Sequence, residues 1–210
     1  PWPVFRSTEY IKEADLETAA EMINKSERPF LYVGGGAVIS NASEEVSALA
    51  HKINAPVGDS LMGKGAFDGR DELYCGMIGM HGTKASNFGV TDCDLLIVIG
   101  ARFSDRVVGK VSKFAENAKI LQIDVDAAEI NKNVVVDASV IGDVKEVLKR
   151  LLPKVEENAH EEWVKHIEGY KNQFPLKYDP AGLTAPYVVK ELYRITEGNA
   201  LIVTEVGQHQ

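Results

Sequence analysis

The sequence predicts an α/β fold, a doubly wound parallel sheet of about six strands with flanking helices. Three observations carry that prediction. Leu95-Leu96-Ile97-Val98-Ile99 is an unbroken apolar run, the mark of a strand covered on both faces. Such runs alternate with helical apolar periodicity over residues 15–152, joined by short loops, as parallel βαβ units require. The runs end in glycine or in a charged residue, and in such sheets the carboxyl ends of the strands face the ligand.

Composition agrees. The 210 residues are 45% hydrophobic and 26% charged, enough apolar mass for a full core. With 23 basic against 31 acidic residues the formal charge is −8, which makes the surface a poor partner for nucleic acid or an anionic membrane. No apolar run approaches the roughly 20 residues of a transmembrane helix, and no signal peptide opens the sequence. Cys75 and Cys93 have neither a disulfide-framework nor a metal-site spacing and read as buried thiols of a cytoplasmic protein. There is no HExxH or CxxC, so no protein-bound metal is expected.

Residues 1–14 read as an extended lead-in. Asp15 is the expected N-cap of a helix with Leu16, Ala19, Ala20 and Ile23 on one face, ended by Pro29. Phe30–Val33 is a buried strand followed at once by Gly34-Gly35-Gly36. Asn41, with Glu44 three residues on, predicts a capping box for a helix striped by Val46, Leu49, Ala50 and Ile53. Short strands are expected at 55–57 and 73–75, a helix over 83–91, the strand 95–99, a strand 119–123 ending at Asp124, and a strand within 134–141. Gly142-Asp143 then leads into a helix over 144–152, which closes a domain of residues 15–152.

Residues 153–183 differ. Trp163, Ile167, Tyr170 and Phe174 recur at helical spacing after an acidic start, and Pro175, Pro180 and Gly182 break the chain; this reads as a connector whose helix packs on something. Residues 184–210 read as the opening of a second α/β domain: a helix from Thr184 with Val188, Leu192 and Ile195 on one face, stopped by Gly198, then a strand at 201–204. The absence of an initiator Met and the stop just after a strand suggest a piece of a longer enzyme.

The residues able to carry chemistry gather at strand ends. Gly34–Gly36 lacks GxGxxG spacing and reads equally as a tight βα turn or as a ligand loop. Arg102 and Arg106 follow the strongest strand, with Asp105 beside them; they suit a phosphate or a flat ring, or a surface ion-pair cluster. Asp124 and Gly142-Asp143 sit where acids hold ribose hydroxyls in nucleotide sites, though acids also cap strands. Taken together, these ends favour an adenine-nucleotide cofactor. His81 is placed to meet a ring or carbonyl, and no paired acid or nucleophile gives it a catalytic role.

Gly79-Met80-His81-Gly82-Thr83, the run from Asp94 to Val107, Ser60-Leu61-Met62-Gly63-Lys64-Gly65 and Val206-Gly207-Gln208-His209-Gln210 together resemble the acetohydroxyacid (acetolactate) synthase catalytic subunit family. The resemblance covers nearly the whole chain: the Rossmann-like middle domain of a thiamine-diphosphate enzyme, the connector, and the first strand of the domain that follows. It implies a parent enzyme that condenses pyruvate with a second 2-oxo acid in branched-chain amino acid synthesis, using thiamine diphosphate and Mg2+. The parent would be a homo-oligomer, open to a regulatory subunit.

The resemblance also implies FAD in the middle domain. Gly34, Gly35 and Gly36 would lie near its ribitol and phosphate, and Ser60, Leu61, Met62 and His81 near the flavin. Gly100, Ala101, Arg102, Asp105, Arg106 and Val107 would hold its central stretch. Asp124, Val125, Gly142, Asp143 and Val144 would hold the adenosine. Val206, Gly207, Gln208 and His209 would join the thiamine diphosphate pocket. Ser104 and Val108 depart from the family's usual Asp and Thr. The family's catalytic glutamate and magnesium motif fall outside the sequence, so this chain alone is expected to be inactive. A flavin-free scaffold of a related thiamine enzyme is the main alternative, and a free-standing NAD-dependent dehydrogenase domain the lesser one.

Overall fold

The computed structural model describes residues 10–179, 182–204 and 207. Two compact units divide the chain after Phe174. The first holds a six-stranded, all-parallel sheet in the order β3-β2-β1-β4-β5-β6, with β1 Pro29–Val33, β2 Val57–Asp59, β3 Tyr74–Met77, β4 Leu95–Ile99, β5 Lys119–Asp124 and β6 Ala138–Ile141. The fold class expected from the apolar runs is the one observed.

Every residue of β1 and β4 is buried, and their side chains alternate between two cores, as a pleated strand demands. Leu31, Val33, Leu95, Ile97 and Ile99 face one core. They meet helices α1 (Glu13–Lys25), α3 (Ser43–Lys52) and α6 (Val144–Leu151). Phe30, Tyr32, Leu96 and Val98 face the other, with α4 (Lys84–Asp92), the one-turn α5 (Asp105–Val108), which contributes Val108, and α7 (Glu161–Gln173). Each such side chain contributes roughly 1.5–3 kcal/mol by leaving water. The connector helix α7 therefore has a partner: Trp163 and Ile167 are in the second core, and the Trp163 indole donates to the Pro29 carbonyl at 2.8 Å. Cys75 and Cys93 lie in the same core as free thiols. Burial pushes Cys75 up to about 11, and pushes Cys93 still higher, helped by the Asp94 charge.

Several boundaries differ from expectation. The helix α1 starts two residues before Asp15, with Lys12 as its unassisted N-cap, so Asp15 favours the helix by its charge in the first turn. Pro29 does not end that helix but opens β1, where a missing N–H is tolerated. Asn41 caps nothing: it takes φ +53° in the turn between a short helix α2 (Gly35–Ile39) and α3, whose N-cap is Ala42 without a side-chain bond.

In the second unit, helix α8 (Ala185–Thr196) begins at Thr184, whose hydroxyl accepts from the Tyr187 N–H, and ends at Glu197 and Gly198, both at positive φ. Residues 201–204 form no strand, because among the described residues no neighbouring strand pairs with them. No helix of the described residues is long and apolar enough to cross a membrane, and no group of three metal-ligating side chains occurs among them.

Candidate functional site

Backbone bonds carry the ladder one residue past the strands and stitch their carboxyl ends into a rim. Ile78 N–H donates to Asp59 O (2.8 Å), Ser60 N–H to Val33 O (2.9 Å), Gly34 N–H to Ile99 O (2.9 Å) and Gly100 N–H to Ile123 O (2.8 Å). Strand order reverses between β1 and β4, the switch point where such sheets open a crevice.

The loops leaving β1 and β4 cross there in contact. Gly36 N–H donates to Gly100 O at 2.8 Å. A Cβ on Gly34 would stand 2.3 Å from the Gly100 oxygen, and one on Gly36 would stand 2.7 Å from the Gly100 Cα. Gly100 itself has φ +57°. The glycine run read from the sequence is thus needed for backbone meeting backbone.

Above this crossing lies a cavity of about 630 Å³, the size of a small-molecule site. Of the residues singled out in the sequence, Gly35, Gly36, Ser60, Leu61, Met62, His81, Gly100, Ala101, Arg102, Arg106, Val107 and Asp124 line it. The turn at Leu61–Gly63 is held by the Ser60 hydroxyl, which accepts from Gly63 N–H at 3.1 Å. The His81 loop is fixed by Asn87, which accepts from Gly79 N–H (2.9 Å) and donates to Gly79 O (3.0 Å). Met80 N–H adds a bond to Arg106 O at 2.9 Å. From below, the Gln122 amide donates to Ala101 O at 3.4 Å and that of Asn133 to Phe103 O at 2.7 Å, steadying the loop that presents Arg102. The Gln122 Oε1 has no partner among the described residues.

Six of the singled-out residues stand off the wall. Gly34 lies beneath the loop crossing, and Asp105 and Val125 are exposed outside it. Gly142, Asp143 and Val144 serve the scaffold: the Asp143 carboxylate accepts from Ser40 Oγ (2.7 Å) and from Glu146 N–H (3.3 Å), capping α6, while Val144 sits in the core. Val206, Gln208 and His209 lie outside the described residues. Gly207 is described and exposed.

The wall also holds Ser104, noted above for its departure from the family's Asp, and residues the sequence did not single out, among them Tyr32, Ile39, Met77, Ile78 and Glu129. Glu129 lies five residues past Asp124 on the same loop, a spacing that could have marked it. Tyr32 was hidden inside an apolar strand, though its hydroxyl one residue before the strand's end was a usable signal.

Charge at the rim is unevenly satisfied. Arg102 is exposed into the cavity, and its guanidinium makes no hydrogen bond or ion pair among the described residues. Arg106 has only a loose contact to Asp105, 4.0 Å between exposed groups, which contributes little. Asp124 is 9% exposed; burial pushes its carboxyl above the usual value, against a 3.0 Å bond from Asp126 N–H. His81 has no carboxylate or nucleophile paired with it among the described residues. The arrangement therefore suits holding a ligand with an anionic middle, apolar ring surface and polar hydroxyls, rather than bond-making.

A larger hollow of about 800 Å³ lies beside α3 and the loop after β2, but Asp59, Lys64 and Asp68 on its wall are already paired, which leaves Glu44 as its one charge without a partner among the described residues. Lys64 Nζ stands 3.2 Å from Asp59, the Tyr74 hydroxyl donates to Asp59 at 2.9 Å, and Arg70 pairs with Asp68 at 2.9 Å.

The family described as "Thiamine pyrophosphate enzyme, central domain" matches residues 16–151, the span of the sheet and its crevice. The chain is 44% identical over 204 residues to the acetolactate synthase large subunit of Cyanidium caldarium, covering 93% of this chain and 35% of that protein. It is 45% identical over 206 residues to the probable acetolactate synthase large subunit of Methanocaldococcus jannaschii, again 93% and 35%. It is 42% identical over 208 residues to the chloroplastic acetolactate synthase of Arabidopsis thaliana, 95% and 31%. The chain spans about a third of the length of these curated relatives.

Proposed function

The chain belongs to the thiamine pyrophosphate enzyme family as its central domain, and on that premise we propose that it is the cofactor-holding middle part of an acetolactate synthase large subunit, with FAD as its ligand. The observation that carries the reading is the convergence of Gly35, Gly36, Gly100, Arg102 and Asp124 on one crevice at the switch point.

The donor set fits such a dinucleotide. Arg102 and Arg106 would meet the diphosphate, since a guanidinium with free donors suits phosphate oxygens. Gly36 and Gly100, packed backbone to backbone, hold the loop crossing that floors the cavity, with Gly35 on its wall. Leu61, Met62 and His81 would lie along the ring, and Asp124 would accept from ribose hydroxyls. In this reading FAD supplies no net redox step, and the thiamine diphosphate of the whole protein supplies the carbanion chemistry on pyruvate. The condensation of pyruvate with a second 2-oxo acid is proposed for the whole protein, with Mg2+ and its oligomeric partners, and not for this chain acting alone.

Titrating FAD into the purified chain and following flavin fluorescence tests the reading. Saturable binding is expected, weakened at least tenfold in Arg102→Ala, because a hydrogen bond to a charged group contributes about 1.5–3 kcal/mol. Absence of binding at high micromolar protein would favour an empty scaffold instead, and identical binding by the variant would take Arg102 out of the ligand contacts.

A further inference from the structure

The geometry points to the Tyr32 hydroxyl as a hydrogen-bond donor to the diphosphate of a dinucleotide in this cavity, beside Arg102; the inference rests on the dinucleotide reading above. Tyr32 is 1% exposed, lies in the second core with Ile78 and Ala101, and also lines the cavity. Its ring is sealed in the sheet, and its hydroxyl finds no hydrogen-bond partner among the described residues. The fully enclosed unpartnered side-chain atoms among the described residues are Glu45 Oε2 and Gln122 Oε1; the Tyr32 hydroxyl, unbonded but not one of them, therefore opens on the cavity that Tyr32 lines. A phenylalanine would fill the same ring space, so what the tyrosine adds is a donor turned toward whatever occupies the cavity.

The partner must be an acceptor. Burial, with Asp59 adding to it, pushes the phenol up to about 12, so it stays protonated and donates throughout the physiological range. Arg102 is the cation whose charge reaches that hydroxyl and opposes the shift. An unpaired guanidinium and an unpaired phenol on the wall of one cavity share one suitable target, an anionic oxygen of the ligand.

Tyr32→Phe removes only the donor. Two quantities are measured on wild type and variant: the melting midpoint without ligand, and FAD affinity by flavin fluorescence, each with ADP as competitor. The expected result is an unchanged or slightly higher midpoint, FAD binding about tenfold weaker, and the same factor lost by ADP, which keeps the diphosphate and lacks the flavin. Equal FAD affinity in the two proteins overturns the inference while leaving the dinucleotide reading intact. So does a loss confined to FAD and absent for ADP, which would assign the donor to the flavin half. A drop in affinity that merely tracks a lower midpoint also overturns it. If wild type binds neither ligand, the dinucleotide reading falls and takes this inference with it.

Discussion

The ends of β4 and β6 carry nearly the same local text: an apolar strand, a glycine, a charged residue nearby and a short run into a helix. The structure uses them oppositely. After β4, Gly100 turns the chain at φ +57° and Arg102 emerges into the cavity with its donors free. After β6, Asp143 turns inward, 8% exposed, with its carboxylate held by the Ser40 hydroxyl and the first turn of α6. Position at the rim therefore does not by itself leave a side chain free to meet a ligand. What separates the two ends is whether the hydrogen-bonding capacity of the side chain is already occupied by the protein.

The contrast can be broken most severely at the base of the β4 end. Gly34→Ala places a methyl 2.3 Å from the Gly100 oxygen, and because both sides of that contact are backbone, neither can swing away. Gly34 has φ −116°, which any residue adopts, so the penalty is steric alone. The expected loss is about 3 kcal/mol, at the upper end of overpacking costs, read as a lower urea midpoint together with failure to bind FAD.

Asp143→Ala tests the other end. Loss of the cap and of the Ser40 bond should cost about 1–2 kcal/mol, with FAD affinity unchanged under conditions where the variant is folded. A tenfold drop in affinity at unchanged stability would put the β6 end back among the ligand contacts.

The smallest effect is expected at Asp124. Its folded-state pKa is raised, chiefly by burial, so the folded protein holds the proton more tightly than the unfolded chain. The contribution is favourable below the ordinary carboxyl pKa and is lost as pH rises through the raised one. Asp124→Asn should therefore match wild type in urea unfolding near pH 3 and be slightly more stable at pH 7, since the amide oxygen can still accept from Asp126 N–H. A variant less stable at pH 7 would mean that the charge is compensated in a way the burial does not reveal.

The fold was legible because parallel strands buried on both faces must be apolar throughout. Leu95–Ile99 and Phe30–Val33 meet that demand and little else does. The strand at 201–204 was misread for the complementary reason: apolarity marks a segment able to pair, while pairing needs a neighbour. Asn41 was misread because the capping pattern is local, and the chain instead used that residue's tolerance of positive φ to turn between α2 and α3. At the site, glycine spacing and arginine position were readable, since they reflect backbone contact and charge. The role of Asp143 was not, because Ser40, its partner, lies 103 residues away. Tyr32 escaped for a related reason, since its strand is read by hydrophobicity, which does not register one oxygen at the edge of a core.

The two native thiols have a practical consequence. Cys75 and Cys93 are shut inside the second core, and burial holds both as poor nucleophiles at neutral pH. A cysteine placed at exposed Val125, just outside the crevice, would then be the one that a maleimide dye modifies. Fluorescence from that dye could report ligand arrival without stripping the natural sulfurs from the protein.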